Sequence, residues 1–196
     1  NIILKKSKTP LVFLLTPDVI LKKNCEKNLL NIVKKIKKNF SILSPISRDK
    51  NCGLESQDTL IKKDYFEVNY VKGFAMLVNK KKIINVGMFD EKIFLYLEEI
   101  DLCKRLKSKG KTIYLNKNLE IKHEGGRSHN QSINLEMELS RNWHWMWSTF
   151  YFNKKHYGFT YSLLSVSGNL LSSVLKIFLY TITFNKKKRR IYFQRF

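Results

Sequence analysis

Three features of the sequence predict an α/β fold followed by helices. Leu11 to Leu15 is an uninterrupted apolar run of strand length; helical stripes alternate with further short apolar runs as far as residue 123; and from residue 133 onward two long helical patterns follow with no strand between them. The expected division is an α/β part over 1–130 and a helical part over 131–196, in a chain of 196 residues that is long enough for a real core plus an appendage. Because the chain starts at Asn1, and Asn1-Ile2-Ile3-Leu4 reads as the inside of an amphipathic helix, it is expected to be a fragment of a longer protein.

Residues 1–8 read as the end of that helix, stopped by Pro10, and the continuous apolar character of Leu11 to Leu15 suggests a buried, parallel strand. At its end stand Thr16, Pro17 and Asp18, where open α/β sheets place ligands. Taken alone, Asp18 reads better as an N-cap or turn residue. Over 26–38, Leu29, Leu30, Val33 and Ile36 form a helical stripe that should cover the sheet. A short strand over 41–45 precedes a polar, irregular stretch over 47–63.

Residues 67–79 read as a strand pair or one bent strand interrupted at Gly73, a glycine that marks either a bulge or the close approach of a ligand. A short helix over 80–86 follows, then a helix that starts at Glu98 and is closed by Gly110. Strands are expected over 111–115 and 119–123, the second ending at His123. Over 133–152, Leu139, Trp143, Met146, Trp147 and Phe150 share one helix face and read as core packing. Over 159–184 the chain is apolar with Lys176 as its sole charge; Asn169, Ser172, Ser173 and Lys176 gather on one side of the helical wheel. That amphipathic pattern predicts a helix lying in a membrane interface, with Lys186-Lys187-Lys188-Arg189-Arg190 meeting anionic headgroups.

A net charge of +21 invites comparison with nucleic-acid binders. Lysines, however, outnumber arginines 30 to 7 and are scattered, as an AT-rich coding sequence would leave them, whereas phosphate and base recognition leans on Arg. The expected anionic partners are a nucleotide diphosphate and acidic lipid headgroups, with no nucleic acid. Cys25, Cys52 and Cys103 are few, distant and in no metal spacing, which predicts a reduced, cytosolic chain; Cys103 reads as a packed core thiol.

The densest acid cluster in this basic chain lies in the run Gly87-Met88-Phe89-Asp90-Glu91-Lys92-Ile93-Phe94-Leu95-Tyr96-Leu97-Glu98-Glu99-Ile100-Asp101-Leu102-Cys103-Lys104-Arg105. Glu98, Glu99 and Asp101 sit in one first helical turn, where acids complement the helix dipole, and Asp101 is spaced to pair with Arg105. The run also resembles the acceptor-side signature of family 2 glycosyltransferases, in their rhamnosyltransferase-like bacterial branch. Three further blocks follow that family's order: Phe13 to Val19, Val71 to Leu77 and Lys122 to Ser128. The resemblance covers roughly residues 1–155.

The resemblance implies the GT-A fold, a Rossmann-like α/β sandwich, with the strands that hold the nucleotide base lying upstream of this chain. It implies inverting transfer of a sugar from a nucleotide-diphospho-sugar to a lipid-linked saccharide acceptor, in cell-surface polysaccharide synthesis at the inner face of the cell membrane. The implied base is Glu99, although relatives have Asp there and Glu98 stays open. Asp18 and Gly73 would serve the diphosphate, and Asp18 with His123 a divalent metal, Mg or Mn. Thr16 departs from the Asn usual before Pro-Asp. Phe94, Tyr96, Asp101 and Arg105 would fall on the acceptor side, the last two bracing helix and loop. The rival expectation is a non-catalytic basic module that binds nucleic acid or anionic membrane. Glycoside cleavage by paired acids fits poorly, because adjacent acids cannot flank a bond from opposite sides.

Overall fold

The computed structural model describes residues 1–36, 39–47, 64–123 and 133–195. They divide into two compact units, one of residues Asn1–Phe89 and Glu99–Ser128, the other of Asp90–Glu98 and His129–Phe196. The fold class is mixed α/β, and most of the polar stretch expected over 47–63, with Cys52, lies outside the described residues.

In chain order the first unit runs α1 (Ile2–Lys6), β1 (Leu11–Leu15), β2 (Val19–Leu21), α2 (Cys25–Lys35), β3 (Ile42–Ser47), β4 (Tyr65–Glu67), β5 (Ala75–Asn79), α3 (Lys80–Ile84), α4 (Glu98–Ser108) and β6 (Ile113–His123). Six strands form one sheet in the order β1-β5-β3-β6-β2, with β4 also on β6. Only β3 and β6 are parallel; β1 with β5, β5 with β3, and β2 and β4 with β6 are antiparallel.

Alternation along the central strands divides the core. Leu43, Ala75, Leu77 and Ile121 face Leu29, Ile32 and Val33 of α2. Ile42, Met76, Val78 and Ile113 face the opposite way, onto Leu4 of α1, Ile83 of α3, and Leu102, Cys103 and Leu106 of α4. A one-residue slip would exchange the two faces, which fixes the register. The first unit is thus a sheet with helices on both sides.

Several expectations change here. Leu11 to Leu15 is neither parallel nor fully buried: it pairs antiparallel with β5 at one end of the sheet, its side chains are half-buried, and Leu15 is exposed. An apolar run signals a strand but says nothing of its partner's direction. Leu30 is 61% exposed, because α2 buries Cys25, Leu29, Ile32, Val33 and Ile36, and Leu30 stands about 100° round the helix from Leu29. Within 67–79 the strand is β5 alone, with Glu67 ending β4. The two strands expected over 111–115 and 119–123 are one, β6, whose pairing with β3 jumps from Pro45↔Asn116 to Ile46↔Glu120. Pro45 has no N–H to give the ladder, and the Asn116 side chain accepts instead from the N–H groups of Asn118 and Leu119, at 2.8 and 3.0 Å.

The second unit holds α5 (Asn134–Tyr157), α6 (Phe159–Ile182) and α7 (Lys186–Phe193). The single residue Gly158 joins α5 to α6, and Asn153 donates to Ser165 across the pair at 2.9 Å. Tyr192 of α7 stacks on Tyr180 and lies under the ammonium of Lys176. Ser162 and Ser173 are buried, so part of the polar side expected on α6 faces inward, while Leu164, Leu171, Leu175, Phe178 and Ile182 are exposed. By length and composition α6 could cross a membrane. The aromatic stripe of α5 also differs from the core expected: Leu139 and Met146 are buried, but Trp143 and Trp147 are exposed and stacked on one another, 6.2 Å between ring centres.

Candidate active site

Glu98 and Glu99 open α4, as expected, directly after two residues in the left-handed region, Tyr96 and Leu97, both at φ 66°. That conformation is costly for side chains with a Cβ, of order 1–2 kcal/mol each, and forces the chain to turn sharply into the helix. The N–H groups of Gly73, of Glu99 itself and of Ile100, with the charge of Lys72, all work to lower the pKa of the Glu99 carboxylate. Burial nonetheless outweighs these donors and holds its pKa above the ordinary glutamate value. A Cβ built at Gly73 would stand 3.6 Å from Cδ of Glu99, an ordinary contact.

One turn further on, Cys103 is buried and its thiol is pushed up to about 12 by burial, which makes it the core thiol expected. Asp101 is fully buried, against the exposed pair its spacing suggests, and receives Nε and Nη2 of Arg105, each at 2.8 Å. The same guanidinium donates to the carbonyls of Val86 and Met88. Asp101 and Arg105 therefore lock α4 to the reversal at Gly87 and Met88, both left-handed.

Asp18 lies in the turn between β1 and β2, where the N–H of Val19 reaches the carbonyl of Thr16 at 3.2 Å. The N–H of Thr16 in turn donates to Phe74, beside Gly73. Val19 pairs with His123 at the end of β6, so the backbone of Asp18 is one residue from a position opposite His123. This juxtaposition of sequence-distant residues follows from β2, a strand the sequence pattern did not reveal. Among the described residues no group of three or more His, Cys, Asp or Glu could hold a metal.

In the second unit, the segment Asp90–Glu98 is fastened along α5. Trp147 donates its indole N–H to the Lys92 carbonyl at 2.9 Å, Ser148 its hydroxyl to Leu95 at 2.7 Å, and Lys155 its ammonium to Asp90 at 2.7 Å. Tyr151 adds a hydroxyl to Asp90 at 3.3 Å. Burial works to raise the Asp90 pKa, but Lys155, the Lys92 N–H and Tyr151 together bring it below the ordinary aspartate value. Phe94 lies against His144 and Tyr96 edge-on to Trp145, so both aromatics expected on the acceptor side are oriented by α5. Phe94 is 77% exposed, which leaves its ring open to a ligand. Lys72, Asp90 and Lys155 are not singled out by the sequence pattern, and Trp147 reads there only as core packing. Lys72 and Asp90 fall inside the motif blocks, and only the fold shows what they touch.

Compared with known proteins, the chain matches no protein-family model and no curated protein.

Proposed function

We propose that the protein is a family 2 glycosyltransferase of GT-A fold, from the rhamnosyltransferase-like branch, which transfers a sugar with inversion from a nucleotide-diphospho-sugar to a saccharide acceptor, lipid-linked and met at the inner face of the cell membrane. The observation that carries this proposal is Glu99: a partly buried carboxylate at a helix start, beside a glycine backbone, with burial rather than ion pairing governing its pKa. A carboxylate placed only to cap α4 would be held low by its donors. One with a raised pKa is the better proton acceptor for a sugar hydroxyl.

In this mechanism Glu99 takes the proton of the acceptor hydroxyl as the new C–O bond forms and the anomeric C–O bond to the diphosphate breaks, the nucleoside diphosphate leaving with the bonding pair, and Glu98 orients the acceptor or the helix start. The donor diphosphate lies over Gly73, with Lys72 supplying positive charge. The family resemblance assigns Phe94 and Tyr96 to the acceptor side. Asp18 and His123 would hold a Mg or Mn ion, which would supply positive charge to stabilise the departing diphosphate.

The test measures sugar transfer from a panel of nucleotide-diphospho-sugars by the full-length protein, alongside donor affinity. Glu99→Gln is expected to lower transfer by roughly 100- to 10,000-fold while donor binding is kept. Glu98→Gln is expected to cost less. Near-wild-type turnover in Glu99→Gln with a dead Glu98→Gln would move the base by one residue; activity in both would refute the mechanism.

A further inference from the structure

Between α5 and α6 lies a cavity of about 240 Å³ in which Trp143, Trp147 and Phe150 face Leu163 and Leu170, and Arg195 is the one charge among the described residues lining it. This is below the ~300 Å³ at which sites enclosing a whole small ligand begin, so it suits a segment of chain rather than a complete molecule. Its lining is hydrocarbon and indole. Leu163 and Leu170 stand on α6 between the buried Val166 and the exposed Leu171 and Val174, so the cavity is continuous with the exposed apolar stripe of that helix. Arg195 donates Nε to Asn142 at 2.7 Å and lies over Tyr192. Its Nη edge, the fork that matches a phosphate, is the part not used by Asn142. Lys186, Lys187, Lys188, Arg189 and Arg190 precede it on α7 and are all exposed.

We propose that this cavity takes one hydrocarbon chain of an anionic phospholipid, with the Arg195 guanidinium on the phosphate. The occupant follows from charge complementarity: an apolar slot with a guanidinium in its wall, next to a basic helix and an apolar helix face, fits a lipid that has both a chain and a negative headgroup. Trp147 belongs to the cavity wall and also holds the Lys92 carbonyl, so an occupied cavity bears directly on the anchor of the segment Asp90–Glu98. The site does not depend on glycosyl transfer.

The experiment uses the full chain with Trp145→Phe, which leaves Trp143 and Trp147 as the only indoles, and titrates it in neutral detergent with phosphatidylglycerol brominated on its acyl chains. Expected is saturable quenching at one lipid per chain. Phosphatidylcholine with the same chains is expected to bind about fivefold more weakly, the factor one well-placed charge is worth, and Arg195→Gln to erase that difference. Leu170→Phe, which fills the cavity, is expected to abolish saturation; circular dichroism checks that it folds, and the Arg195→Gln comparison stands if it does not. Linear, lipid-indifferent quenching would mean that α6 merely dissolves in the detergent phase and would overturn the proposal. So would displacement of the brominated lipid by sub-stoichiometric polyprenyl phosphate, which would assign the slot to a different lipid, or a stable dimer that excludes it.

Discussion

At the scale of single residues, Glu99 and Asp101 show opposite relations between burial and charge. For Glu99 the folded pKa lies above the unfolded value, so between the two the folded chain binds more protons, and stability falls as pH rises through that window. Above it the ionised carboxylate is a standing cost. Glu99→Gln is therefore expected to raise the melting temperature at neutral pH and to flatten this part of the pH dependence, even as it removes transfer; a lower melting temperature would mean that the charge is stabilising. Asp101, with no exposed surface and two bonds to an Arg105 that is 18% exposed, is a nearly buried pair. Asp101→Ala should destabilise by about 3 kcal/mol in denaturant unfolding, far more than an exposed i,i+4 pair. The sequence gives the partner of Asp101 through its spacing but not the burial, because burial depends on β-strand neighbours and on the Val86 and Met88 carbonyls that Arg105 also holds. The raised pKa of Glu99 was equally hidden, since it comes from burial that only the fold creates.

At the scale of elements, α4 is the part most legible in sequence, from its acidic start to Gly110 at φ 62°. A Cβ on Gly110 would meet nothing within 4 Å, so Gly110→Ala should cost only the left-handed backbone, about 1 kcal/mol, read from thermal unfolding. Gly73→Ala separates packing from function. The added methyl makes an ordinary contact with Glu99, so stability should change by less than about 0.5 kcal/mol, while transfer should fall if a diphosphate lies over that backbone. The segment Asp90–Glu98 was legible as a motif but not as a structure, because its anchors lie on α5. Asp90 has a depressed pKa, so its contribution is present above the ordinary aspartate value and lost as pH falls through the folded pKa. Asp90→Ala should remove about 2 kcal/mol. It should also speed hydrogen exchange in residues 90–98, and unchanged exchange would deny Lys155 its role. The merging of two expected strands into β6 was hidden for a related reason: the irregularity at Asn116 looks like a turn until β3 is seen to pair on both sides of it.

At the scale of the whole molecule, a charge of +21 and the exposed apolar side of α6 would both favour an anionic membrane under the proposed reading. Flotation with anionic vesicles should show binding that weakens with salt and with replacing the five basic residues of α7 by Gln, each worth ~1 kcal/mol near the surface. Binding indifferent to both would leave the apolar stripe alone responsible. The amphipathicity of α6 was readable from the helical wheel, but which side faces outward was not, since Ser162 and Ser173 are buried with their hydroxyls on carbonyls of α6 itself and Lys176 lies over Tyr192 of α7. The division of the chain has a consequence in time. Asp90–Glu98 leaves the ribosome well before the helix that fastens it: Lys92 and Trp147 are 55 positions apart, roughly 3 to 11 s of synthesis at ordinary elongation rates. During that interval the sheet strands up to β5 are already made, while Phe94 and Tyr96 hang from them without α5. A nascent chain stalled before Trp147 should therefore carry an exposed aromatic segment that chaperones or proteases can seize, and its protection should appear abruptly once Lys155 has emerged.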